Sequence, residues 1–410
     1  MSQGQGMAEQ ALKGLKVLGF TWILTGPIIT KFLADHGATV IKVESGTRPE
    51  MLRLSAPHKD GQPGVNRSGY FNFFNTNEYS VSLNLNLREG IAIARRLVAW
   101  ADVVVENFRP GVLDKMGLGW EEVKRINPRA VMLSATVVGQ EGPHAQQPGI
   151  GVQLVSYAGF THVTGWPDRE ATQPFGAYTD FPAPTLAASV LMAALLRQRQ
   201  TGRGQYLDLS QLETGISFLA PLVLDCTANG REGNRQGNTC SNACPHNVYA
   251  CRGSDRWIAI AAFNDRDWQA LRRLMGNPRW TEDPAFSTLL ARKKSEDILD
   301  RLVTAWTVNF SAEEAMEKLQ SAGIDAGVVQ TSRDVYEDPQ LRSRQAFWKM
   351  EHKEVGEVSH LGESFILSET PAQPRMPAPC LGEHTEHICR EILGMSDKEF
   401  VGLMSKGVFD

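Results

Sequence analysis

Asp180 lies in the run Tyr178-Thr179-Asp180, directly ahead of an apolar helical stretch that ends in the turn Thr201-Gly202-Arg203-Gly204-Gln205. Two chemistries are open to a carboxylate in that setting. As the first residue of Asp180-Phe181-Pro182-Ala183-Pro184-Thr185 it can cap a helix, where free backbone N–H groups and the positive end of the dipole favour an anion. It can equally serve as a nucleophile that accepts an acyl group and passes it on. The two roles are compatible, because a helix N-terminus would hold the carboxylate ionised.

Other residues invite a metal reading. Cys240, Cys244 and Cys251 share a Gly/Asn-rich loop with His246, and His384, His387 and Cys389 cluster near the C-terminus. Neither group has the paired Cys-Xaa-Xaa-Cys spacing of structural zinc sites. No metal is assigned, and the cysteines read as small packing residues.

The elements that must position this chemistry follow from periodicity. Residues 15–20 read as a strand, 27–36 as a helix stopped by Gly37, and 39–43 as a buried strand, which together form a βαβ unit. A helix at 88–101, a strand at 103–105, a helix near 121–125 and a strand at 131–134 continue the alternation, so a parallel α/β sheet is expected. The turn after the first strand, Thr21-Trp22-Ile23-Leu24-Thr25-Gly26-Pro27, lacks the Gly-Xaa-Gly-Xaa-Xaa-Gly pattern and disfavours a dinucleotide. Residues 206–209 begin a short ordered segment, and residues 229–247 read as a long loop. A strand at 257–262 and helices at 265–274, 294–306 and 312–322 suggest a smaller, separate domain, followed by Pro-rich segments.

The chain has 410 residues, 42% hydrophobic and 21% charged, with a net charge of −4. These values suit a folded globular protein and argue against general nucleic-acid binding, so an anionic ligand must be held by local cations. The strongly apolar stretch at 186–196 is short for a membrane span. Residues 1–10 are polar and lack signal-peptide order. The expected location is the cytoplasm, with no nucleic-acid or membrane partner.

Five segments in a fixed order carry a family resemblance. They are Gly37-Ala38-Thr39-Val40-Ile41-Lys42-Val43-Glu44, Glu106-Asn107-Phe108-Arg109-Pro110-Gly111, Gly139-Gln140-Glu141-Gly142-Pro143, Asp180 with the Thr201–Gln205 turn, and Leu381-Gly382-Glu383-His384-Thr385. Together they resemble the class III CoA-transferases, which include formyl-CoA transferase and carnitine CoA-transferase. The resemblance implies an open Rossmann-like α/β large domain built from both chain ends, a smaller α+β domain, and an interlocked dimer or a heteromer with a related subunit. The corresponding boundaries are 1–225 for the large CoA-binding part, 226–328 for the small domain, and 329–410 for a C-terminal segment returning to the large domain.

The same resemblance implies that Asp180 attacks an acyl-CoA thioester, passes through a mixed anhydride and an aspartyl-CoA thioester, and delivers CoA to a carboxylic acid acceptor. CoA thioester enters as substrate, and no permanently bound cofactor is expected. Asn107, Phe108 and Arg109 form the turn after a parallel strand. Lys115 and Arg53 match cations that approach the CoA phosphates, and Asn77 matches a position beside the nucleotide. Glu78 replaces a family lysine. The glycine-rich lid of the family corresponds to Cys240-Ser241-Asn242-Ala243-Cys244, which has no glycine run. Leu24, Ile23, Trp22 and Phe20 imply an apolar acid pocket suited to acids larger than oxalate. Gly165-Trp166-Pro167-Asp168 is similar to the branch acting on benzylsuccinate with succinyl-CoA. Two alternatives share the fold: an α-methylacyl-CoA racemase, whose Gly-His-Asp motif is replaced here by Pro148-Gly149-Ile150-Gly151, and a non-catalytic CoA-binding subunit.

Overall fold

The computed structural model describes residues 9–410 and divides the chain into two compact units. The first contains the chain up to Thr161 together with Gln173–Glu232 and Pro339–Asp410; the second contains His162–Thr172 and Gly233–Asp338. These junctions differ from those expected at 225 and 328. The helix Ala220–Asn229 runs across the first expected boundary. At the second, Arg256 pairs with Asp334 at 2.6 Å and retains the helix Ser332–Glu337 in the smaller unit. Residues 162–172 join that unit because Gly237 N donates to Gly165 O at 2.8 Å and Arg235 to His162 O at 3.0 Å.

The first unit is organised by a six-stranded parallel sheet: β1 Lys16–Phe20, β2 Thr39–Glu44, β3 Glu78–Ser82, β4 Val103–Glu106, β5 Val131–Thr136 and β6 Tyr206–Ser210, in the order β3-β2-β1-β4-β5-β6. Strands covered on both faces must be apolar on both, which explains the unbroken Val103-Val104-Val105 run. The two-residue period then sorts side chains between two cores. Leu18, Ile41, Val104 and Met132 pack with Ile93, Leu97, Ile388 and Phe400 on one face. Val17, Val40, Val103 and Leu133 pack with Ile29, Leu33, Leu191 and Leu195 on the other.

The helix Pro182–Thr201 contributes Ala187, Leu191 and Leu195 to the second face. The apolar stretch 186–196, too short by itself for a membrane span, is part of a longer helical segment, Tyr178–Thr201, that is long and apolar enough by length and composition to cross a membrane. Half of its most apolar part is buried inside the protein, with Ala187, Leu191 and Leu195 against the sheet.

Edge strand β3 is absent from the sequence reading because Glu78-Tyr79-Ser80-Val81-Ser82 has no apolar run. Its unpaired edge is closed by the C-terminal segment: Ser80 N donates to His384 Nδ1 at 3.2 Å, and Ser82 N to Thr385 Oγ1 at 3.1 Å. The Leu381–Thr385 motif therefore does the work of an edge cover.

In the second unit, β7 His246–Ala250, β8 Trp257–Ala261 and β9 Asp325–Val328 form an antiparallel sheet. Tyr249, Ile258 and Ile260 pack against Trp268, Leu271, Leu299 and Leu319 from its helices. Strand β7 begins inside the stretch read as loop. The Cys240–Ala243 bridge closes a tight turn just before it, and burial pushes the Cys244 thiol up to about 12, as suits an inert packing cysteine.

Candidate functional site

The carboxyl ends of β1, β4, β5 and β6 supply most of the site, as the geometry of open α/β sheets leads one to expect. The turn after β1 uses no glycine clasp. Lys42 Nζ donates to Thr21 O at 2.8 Å, Asn107 brackets Trp22 through its N–H and C=O at 2.8 and 2.7 Å, and Ile23 N donates to Glu50 Oε2 at 3.1 Å. The other Glu50 oxygen faces Lys42 Nζ at 3.4 Å. Ile23 is held at φ 60°, a left-handed conformation that costs a β-branched residue on the order of 1–3 kcal/mol and persists only where neighbours over-determine it.

Asp180 sits in a single 3-10 turn, Tyr178–Asp180, and is 6% exposed. It does not cap the following helix: Phe181 occupies the N-cap, with no side-chain capping bond. Instead Thr25 Oγ1 donates to Asp180 Oδ1 at 3.0 Å. Oδ2 makes no hydrogen bond among the described residues and lies against Gly151, where an added Cβ would stand only 2.5 Å away. Burial pushes the carboxyl up to about 6, opposed by the Thr25 bond. The expectation that a helix terminus holds this group low is thus corrected, because no backbone N–H reaches it and desolvation dominates.

Asp180 lines a cleft of about 100 Å³ with Ile23, Leu24, Thr25, Thr136 and Gln211. Arg109 is the one cation among the lining residues, and none of them is a histidine. The proton shuttle of a racemase therefore has no imidazole here. Through Ile23, Asn107, Phe108, Arg109, Gly149 and Ile150 the cleft shares its wall with a groove of about 670 Å³. Trp22 and Phe108 meet edge to face in that groove with centroids 5.5 Å apart, and Arg48 lies over the Trp22 ring at 5.2 Å. Glu106, pushed up to about 7 by burial, accepts from Phe108 N at 2.8 Å and fixes the turn that presents Phe108 and Arg109.

The structure thus brings Asp180, Asn107, Phe108 and Arg109 together. Lys115 is exposed on the short helix Val112–Lys115, whose flanking Val112 and Met116 line the groove. Two expected CoA contacts are corrected. Arg53 is fully buried, with Nε and Nη2 on the Glu44 carboxylate, Nη2 also on Pro379 O, and Nη1 on Val65 O and Asn66 Oδ1. All five guanidinium donors are used, so none is left for a phosphate. Asn77 is also fully buried and precedes β3, at the amino end of the sheet. It bonds to Asp35 and Gln373 O and accepts from Arg375 N and Met376 N, tying down the C-terminal strap. Of the expected apolar wall, Ile23 and Leu24 line the cleft, whereas Phe20 and Trp22 line the groove.

Sequence reasoning missed Thr25, Thr136, Gln211 and Arg48. The signal for two of them was present: β5 runs to Thr136, two residues past the expected end, and Gln211 directly follows β6. Ligand-facing residues belong at such strand ends.

A cleft at the carboxyl ends of a parallel α/β sheet, with a buried carboxylate in its wall, is the place where an enzyme of this fold class binds its ligand. Residues 12–385 match CoA-transferase family III, and the chain belongs to that family of transferases. It is 32% identical over 97% of its length to succinyl-CoA–D-citramalate CoA-transferase of Chloroflexus aurantiacus, covering 98% of that protein. It is 28% identical to human succinyl-CoA:glutarate CoA-transferase, over 97% of this chain and 90% of the relative. A solved CaiB/BaiF family protein from Brucella suis is similar at a TM-score of 0.85 and 31% identity, covering 94% of this chain and 100% of that one.

Proposed function

We propose that this enzyme moves CoA from succinyl-CoA to a short dicarboxylic acid, with Asp180 as covalent carrier. The observation that carries the proposal is Asp180 itself: one carboxylate oxygen is fixed by Thr25, while the other makes no hydrogen bond among the described residues and faces a cleft that shares its wall with a groove of coenzyme size. In the first step Oδ2 attacks the thioester carbonyl and CoA leaves as thiolate, giving an aspartyl acyl anhydride. The thiolate then attacks the Asp180 carbonyl, releasing the donor acid and leaving an aspartyl-CoA thioester. The acceptor carboxylate repeats the two steps in reverse, so no water enters and the thioester bond energy is conserved. A carboxyl titrating near 6 remains mostly ionised at neutral pH and is more basic than an ordinary aspartate, which favours attack.

The groove suits CoA. Trp22 and Phe108 offer apolar surface, and Arg48, Arg109 and Lys115 offer charge for phosphates in place of Arg53 and Asn77. The relatives named above act on D-citramalate and glutarate, both dicarboxylic acids. A cleft of about 100 Å³ suits a short diacyl chain better than the aryl-substituted succinate expected from the Trp166 segment. Trp166 lies in the smaller unit, where it packs against Gly237 and under Arg169. Exposed apolar residues of the first unit, among them Phe175, Leu186, Phe218 and Leu224, support burial in a dimer.

The test is CoA exchange between succinyl-CoA and glutarate, citramalate or malate, with hydroxylamine trapping of the intermediate at Asp180. Exchange that persists in Asp180→Ala would overturn the covalent mechanism.

A further inference from the structure

The wall of the Asp180 cleft holds two polar side chains that the mechanism above leaves unused. Gln211 is 6% exposed and Thr136 is 5% exposed, and both line the cleft. Thr136 Oγ1 is buried without a hydrogen-bond partner, and the Gln211 amide makes no side-chain hydrogen bond among the described residues. They are neighbours by construction. Thr136 pairs with Ser210 at the end of the β5–β6 ladder, and Gln211 comes next in the chain. Gln211 is also the first residue of the helix Gln211–Phe218, whose N-cap Ser210 accepts from Glu213 N at 3.3 Å.

A buried amide or hydroxyl left unpaired costs on the order of 1–3 kcal/mol, and apolar residues of similar size would remove that cost. An orphaned hydroxyl beside an unused amide at a ligand cleft therefore calls for a ligand that meets both. The donors define its chemistry. The amide NH₂ and the hydroxyl supply donors on one side of the cleft, at the positive end of a helix. This set fits a carboxylate.

We infer that Gln211 and Thr136 form the subsite that binds the far carboxylate of the diacyl group carried on Asp180, and so select dicarboxylic over monocarboxylic acids. The inference rests on the transferase reading, because it requires an acyl group at Asp180. A monocarboxylic acyl chain of equal length leaves both polar groups unpaired, and sites built around hydrogen bonds reject such analogues strongly.

The experiment compares succinyl-CoA with butyryl-CoA, which has the same chain length and no second carboxylate. Exchange that proceeds in two half-reactions makes kcat/KM for the donor independent of the acceptor, so glutarate serves for both. Wild type is expected to prefer succinyl-CoA. Gln211→Leu should lower kcat/KM for succinyl-CoA by about 10²-fold and leave butyryl-CoA within about threefold. Gln211→Glu, which keeps the shape and adds a negative charge, should lower succinyl-CoA further and spare butyryl-CoA. Sparing of butyryl-CoA also certifies that each variant is folded. A parallel fall for both donors would assign the amide to the thioester carbonyl or to folding and overturn the inference, as would an unchanged preference. Hydroxylamine trapping separates the two levels: no adduct at Asp180 in wild type overturns the transferase reading, whereas an adduct with unaltered preference in Gln211→Leu overturns the subsite alone.

Discussion

Thr25 and Asp180, 155 residues apart in the chain, are joined by a hydrogen bond of 3.0 Å from the hydroxyl to Oδ1. The bond links the first turn of the helix after β1 to the turn ahead of the Pro182–Thr201 helix, and it selects which carboxylate oxygen faces the cleft. It also stabilises the ionised form against the burial that disfavours it. In Thr25→Val the acid limb of the kcat/KM profile should therefore move upward by roughly half a unit to one unit, with kcat reduced and the melting temperature little changed. A limb that stays in place would show that Thr25 does not control the Asp180 carboxyl.

The proposed carrier role of Asp180 and its burial together make activity and stability depend on pH in opposite ways. As the proposed carrier it must be ionised to attack, so kcat/KM should fall below about pH 6. For stability the sign is opposite. The folded group titrates near 6 and the unfolded one near 3.8, so the fold binds this proton more tightly and loses stability as pH rises between those values. Asp180→Asn should be inactive in exchange and more stable than wild type at pH 8 by up to about 3 kcal/mol, the product of that shift and 1.36 kcal/mol per unit. Urea unfolding at pH 4 and pH 8 checks it, because the gain should vanish at the lower pH.

Arg53 separates a structural arginine from a ligand contact. Its removal leaves Glu44 buried without its ion pair and with only Ser80 Oγ, at 2.6 Å, donating to it, for which a loss of about 3–5 kcal/mol is expected. Arg53→Met should thus lower the denaturation midpoint or prevent folding. A well-folded variant with only a raised KM for the CoA thioester would restore Arg53 to the binding site.

Arg48 and Arg109 should behave in the other way. Each is exposed at the groove, so Arg48→Ala and Arg109→Ala should raise KM for the thioester several-fold with stability changes within about 0.5 kcal/mol. The Arg48 effect should shrink at high salt, as exposed charge interactions are screened. Insensitivity of KM to both variants would place the coenzyme elsewhere.

Gly151→Ala tests the close approach of the backbone to Asp180. The new methyl would lie 2.3 Å from Ala177 Cβ and 2.5 Å from Asp180 Oδ2, closer than real Cβ contacts. Displacement of the carboxylate should reduce kcat by about 10²-fold or more, with a stability loss of about 1–3 kcal/mol. Full activity in this variant would mean that the cleft relaxes without moving Asp180.

The sequence by itself determined the elements whose signal is local. The apolar runs at Val103-Val104-Val105 and Val40-Ile41 set strands buried on both faces, and their alternation with amphipathic helices implied the parallel sheet. The absent glycine turn disfavoured the usual dinucleotide arrangement, and the family resemblance carried by the ordered motifs singled out Asp180 and the Asn107-Phe108-Arg109 turn. Strand β3 stayed hidden because its buried Glu78, Ser80 and Ser82 look like surface residues. Their partners, such as His384 for the Ser80 N–H, come from the far end of the chain. Only the tertiary structure decided that Arg53 and Asn77 are internal, since a charged or amide side chain reads the same whether its donors meet a phosphate or a buried carboxylate. It alone placed Thr25 on Asp180 and set Gln211 beside Thr136. Those relationships depend on strand order and on how the chain crosses the sheet, and no spacing along the sequence encodes either.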